Sequence, residues 1–148
     1  MFKHLLVPTD GSDLSLKAAR IAMGLAKSLG ARVTAYHAIA PYQLPLADGV
    51  YAYVEAYSPE EYKKGTESQA REFLSAVQAE ASNAGVECTP LFATSGAPWD
   101  GIIKAAASVS CDLIVMASHG RKGIAGVLLG SEAQKVLTHS TVPVMVCR

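Results

Sequence analysis

The sequence predicts an α/β protein: a single-domain three-layer sandwich in which a five-stranded, parallel, doubly wound sheet carries helices on both faces. Short apolar runs alternate with amphipathic stripes in the order β-α-β-α-β-α-β-α-β. The run Leu113-Ile114-Val115-Met116 is continuously apolar, as a strand covered on both faces must be. The chain has 148 residues, 50% apolar and 18% charged, which suits one full core and argues against long-range disorder. Residues 1–148 therefore read as one domain, without an internal repeat.

The elements follow in order. Leu5-Leu6-Val7 is a buried strand closed by the turn Pro8-Thr9-Asp10-Gly11-Ser12. Leu14, Ala18, Ile21, Ala22, Leu25 and Leu29 then fall on one helical stripe, with Lys17, Arg20 and Lys27 opposite. Gly30 stands where a left-handed cap ends that helix. Val33 to Ile39 is the second strand, with His37 inside it. Residues 40–58 have no period and hold Pro41, Pro45, Gly49, Tyr51, Tyr53 and Tyr57; such a loop is either functional or mobile, and its tyrosines either line a pocket or pack the loop onto the core.

Ser58, Pro59 and Glu61 form a helix start with a capping box, and Tyr62, Thr66, Ala70, Phe73, Leu74, Val77 and Ala81 continue its stripe to Gly85. Val86 to Ala93 is the third strand, put at an edge by Pro90. Pro98 opens a helix with the stripe Trp99, Ile102, Ile103, Ala106 and Val109. After the fourth strand comes a glycine-punctuated segment, a helix from about Ser131 to His139, and the last strand, Val144-Met145-Val146.

Composition narrows the function. Thirteen basic residues balance thirteen acidic ones, which gives no broad electrostatic reason to hold nucleic acid or an anionic membrane. Cys88, Cys111 and Cys147 are odd in number and lack zinc spacing, so neither a disulfide framework nor a structural metal is expected. The apolar start is too short for a signal peptide or a span, so a cytoplasmic protein is expected.

Ligands of open α/β sheets bind beyond the carboxyl ends of the strands, where the winding reverses. The segment from Gly120 to Ser131 holds Gly120, Gly123, Gly126 and Gly130, with Arg121 and Lys122, and leads into a helix. Bare backbone amides and a helix N-terminus make it a phosphate cradle; the competing reading is a surface loop with Ser131 as the cap. Asp10 either accepts hydrogen bonds from a ribose or base edge, or simply forms the turn. His37 reads as a satisfied core histidine, and His119 as a ligand contact or a solvated loop residue. No G-x-x-x-x-G-K-[ST] or G-x-G motif occurs. Ser118 gives a faint echo of G-x-S-x-G, but no carboxylate stands at the usual distance to make it a hydrolase.

Two separated segments resemble one family. Leu5 to Ser12 is similar to the opening of the universal stress protein A family, and Val115 to Gly120, Leu128 to Ser131 and Pro143 to Val146 are similar to its ending. The nucleotide-binding branch carries G-x2-G-x9-G-[ST]. Gly120, Gly130 and Ser131 fit that motif, while Ala117 holds the first glycine position with a methyl that narrows the approach of a phosphate or ribose. The resemblance implies a Rossmann-like fold of the adenine nucleotide alpha hydrolase-like type. It implies a stress-response or regulatory protein that binds ATP, or AMP or ADP, with a Mg or Mn ion at the phosphates and at most slow hydrolysis. Asp10 would contact the adenosine, Ala38 the adenine, and Pro8 and Met116 the pocket wall; Gly120, Gly130 and Ser131 would hold the phosphates. The roles of Arg121, Lys122 and His119 rest on the residues alone. The resemblance further implies a homodimer paired through the last strand. The alternative is a dimeric interaction module of the same family that binds no nucleotide. The substitution Gly130→Val separates the two, with binding abolished and the fold intact.

Overall fold

The computed structural model describes residues 1–43, 58–120 and 129–148. Five strands, β1 (His4–Pro8), β2 (Arg32–Ile39), β3 (Cys88–Thr94), β4 (Leu113–Ala117) and β5 (Val144–Cys147), form one parallel sheet in the order β3-β2-β1-β4-β5. Four helices, α1 (Asp13–Leu29), α2 (Pro59–Ala84), α3 (Pro98–Ser108) and α4 (Ser131–His139), connect them. This is the expected three-layer α/β fold.

Alternate residues of the inner strands feed two cores. Leu5, Val7, Val33, Ala35, Leu113 and Val115 pack under α1 and α2, while Leu6, Tyr36, Ile114 and Met116 pack under α3 and α4. The winding runs outward from β1 to β2 and β3, then returns to β4 on the other side of β1. The gap beyond the carboxyl ends of β1 and β4 is therefore the switch point.

Helix punctuation follows the sequence. Gly30 and Gly85 sit at φ 61° and 72° as left-handed C-caps, and Ser58 and Glu61 close a reciprocal capping box. Two boundaries differ from expectation. The α1 stripe is rotated by about one residue: Ser15, Ala18, Ala19, Ala22, Met23 and Ala26 are buried, whereas Ile21 is 39% exposed. Small side chains on that face let α1 approach both the sheet and α2, and Leu14, Leu25 and Leu29 seal the margins. The third strand begins at Cys88 rather than Val86, because the Val86 amide is tied back to Ala81 O at 2.9 Å as part of the α2 cap. Among the described residues, no helix is long and apolar enough to cross a membrane.

Candidate functional site

The site grows out of the turn after β1. Asp10 Oδ1 accepts hydrogen bonds from Ser12 N at 3.0 Å and Ser12 Oγ at 2.6 Å, and Ser12 Oγ in turn accepts from Ser15 N at 3.2 Å. One carboxylate oxygen of Asp10 thus builds the turn and orients the α1 cap. Gly11 is required here twice over. Its φ is +76°, and a Cβ would lie 2.3 Å from the Phe73 ring of α2.

The other Asp10 oxygen faces the end of β4. A Cβ on Gly120 would lie 2.7 Å from Asp10 Oδ2, so these two residues share one rim. Gly130 returns the chain to the same place. Its amide donates to Ser118 O at 2.7 Å, and a Cβ there would lie 2.9 Å from that oxygen and 3.3 Å from His119 Cα. Gly120 therefore leaves room for the Asp10 carboxylate, whereas Gly130 is needed for close backbone approach within the chain itself. The same contact corrects the expected outcome for Gly130→Val: a branched side chain pressed against backbone cannot leave the local fold intact.

Between these segments lies a cavity of about 600 Å³. Pro8 and Asp10 from the β1 end, Ala38 from β2, Met116, Ala117 and Gly120 from the β4 end, and Gly130 and Ser131 at the start of α4 all line it. Ala117, 8% exposed, is one of the residues lining the cavity. Arg121, like Lys122 and the tyrosines 51, 53 and 57, lies outside the described residues.

Ser131 is the first residue of α4, not its cap; the cap is Gly130, which has no side chain to bond the first-turn amides. His37 is half-buried and satisfied, as expected of a core histidine, with Nδ1–H donating to Thr9 O at 2.8 Å, yet it also lines the cavity. Its ring meets Phe73 edge-on, with centroids 5.2 Å apart. His119 Nδ1 lies 2.9 Å from Ser118 Oγ. Ser118 is 2% exposed and belongs to the cavity lining beside His119.

Beyond the strand ends and the start of α4, the helices supply a wall to which the sequence did not point. Phe73 from α2, Pro98 and Ile102 from α3, Glu132 from α4 and the strand residue Tyr36 also line the cavity. One signal was present. Gly101 is a glycine inside a helix, which usually marks close packing. A Cβ there would lie 2.6 Å from Tyr36 Oη. Burial pushes the Tyr36 phenol above its ordinary pKa, with the Asp100 charge adding to the effect.

A model of the universal stress protein family matches residues 1–148. Universal stress protein MJ0531 of Methanocaldococcus jannaschii is 32% identical over 151 residues, covering 100% of this chain and 83% of that one. Among solved structures, that of protein MJ0577 superimposes with a TM-score of 0.79 at 26% identity, covering 99% of this chain and 95% of that one. A universal stress protein solved in complex with cAMP gives a TM-score of 0.72 at 25% identity, covering 99% of this chain and 97% of the other. With its fold, its glycine spacing and its full-length match in agreement, the chain belongs to the universal stress protein family.

Proposed function

We propose that this protein binds ATP or a related adenine nucleotide and acts in a stress response or its regulation, with residues 1–148 working as one domain. The observation that carries this reading is the shared cavity, where Asp10, Gly120 and Gly130 meet and an uncapped α4 N-terminus points at the opening. The relative solved with cAMP supports it. In this reading Ala38 rests against the adenine, Pro8 and Met116 wall the base, Asp10 faces the ribose, and Ser131 with the Gly120 and Gly130 backbone holds the phosphates, joined by Arg121. A Mg or Mn ion would neutralise phosphate charge when bound.

Hydrolysis is slow in this reading. Among the described residues, the two carboxylates lining the cavity already accept hydrogen bonds from the chain: Asp10 from Ser12, and Glu132 from Trp99 N at 2.9 Å. The protein works in the cytoplasm as a homodimer. β5 supports the latter, because it is an edge strand with Met145 40% exposed.

Isothermal calorimetry with ATP, ADP, AMP and cAMP tests the reading, with mass spectrometry of any co-purifying small molecule. Ala38→Phe is the blocking variant, since Ala38 lines the cavity and a ring there takes up ligand space. We expect it to weaken binding at least about tenfold while the unfolding midpoint stays near that of the parent. Absence of heat with every nucleotide leaves the dimeric interaction module in its place.

A further inference from the structure

The N-termini of α3 and α4 open on the same cavity, lined by Pro98 of one and by Gly130 and Ser131 of the other. Each helix start presents unpaired amides and a partial positive charge, yet the two are not equivalent. The α3 cap is Ala97, which makes no side-chain hydrogen bond, and Pro98 has no N–H. The next amide, Trp99 N–H, donates to Glu132 Oε2 at 2.9 Å. A carboxylate of the chain itself already occupies that end.

Glu132 is also the second residue of α4. Its charge therefore stands in the turn whose amides face the opening. Its ion pair with Lys135, at 3.6 Å and with side chains 38% and 50% exposed, is solvent-screened and leaves that charge in play.

We propose that Glu132 sets the charge class of the ligand: its carboxylate, shared between two helix starts, disfavours a triphosphate relative to a nucleoside or a monophosphate. This rests on the adenine-nucleotide reading of the cavity. Each added phosphate brings negative charge toward the α4 start and meets a fixed negative charge there. Glu132→Gln removes the charge while its amide oxygen still accepts from Trp99 N–H.

Calorimetric titration of the full chain with adenosine, AMP and ATP, in metal-free buffer of low ionic strength, tests the idea. The native protein should bind AMP at least as tightly as ATP. E132Q should bind ATP about three- to tenfold tighter than the native protein, AMP by a smaller factor, and adenosine within about twofold. Glu132→Asp keeps the charge and should keep the native order. Equal factors for ATP and adenosine in E132Q would overturn the proposal, as would native protein preferring ATP over AMP by more than about tenfold. If adenosine, AMP and ATP all fail to bind both native protein and E132Q, the nucleotide reading itself falls, and this proposal with it.

Discussion

Asp10 and Gly120 meet across the cavity mouth, so that a Cβ on Gly120 would stand 2.7 Å from Asp10 Oδ2. A motif glycine is usually explained by what a ligand needs. Here the chain's own carboxylate needs the space first. Gly120→Ala should therefore destabilise the protein by about 1–3 kcal/mol with no ligand present. In an Asp10→Ala background the same change should cost clearly less, because the clashing oxygen is gone. A double-mutant cycle by urea unfolding measures the coupling, and strict additivity would refute the contact.

Gly101 stands inside α3, where alanine is ordinarily favoured by about 1 kcal/mol. The structure reverses that sign. A Cβ would lie 2.6 Å from Tyr36 Oη and 2.9 Å from Ser95 Cβ. Gly101→Ala should lower stability by about 1–2 kcal/mol net, and Tyr36→Phe should recover part of the loss. Thermal unfolding of the two single variants and the double variant decides it; a raised midpoint in Gly101→Ala would disprove the packing.

Acid should weaken the fold at the amino end of β1, far from the cavity. Burial, and then the Arg32 charge, hold the His4 imidazole below its ordinary value of 6.5. The unfolded chain thus gains a proton that the folded one refuses, so His4 favours folding above about pH 6.5 and loses that contribution as pH falls. Burial pushes Asp112 up, but hydrogen bonds from the Lys3 and His4 amides outweigh it and leave the carboxyl below its ordinary 3.8. Its contribution is complete above that value and disappears at lower pH. Urea midpoints should fall from pH 8 to pH 5, and His4→Asn should flatten the upper part of that slope.

The thiols should be inert. Burial raises all three: Cys111 is pushed up to about 12, with the Asp112 charge adding to the effect, and Cys88 and Cys147 also lie above the usual thiol value. Ellman's reagent at pH 8 should react slowly with the folded protein and promptly with three thiols in guanidinium. Rapid labelling of the folded protein would contradict this burial.

The order of elements, the caps at Gly30, Ser58 and Gly85, and the edge position of β3 follow from sequence, because each depends on local chemistry within a few residues. The same holds for the glycine spacing that put Gly120 and Gly130 under suspicion. Which face α1 buries did not follow, since its alanine-rich side and its leucine-rich side compete and only the distance to α2 and the sheet decides between them. The Asp10–Gly120 contact, the Phe73 wall and the Glu132 cap on Trp99 lay equally out of reach. Each joins residues more than thirty positions apart, and such proximity exists only once crossovers have stacked the layers.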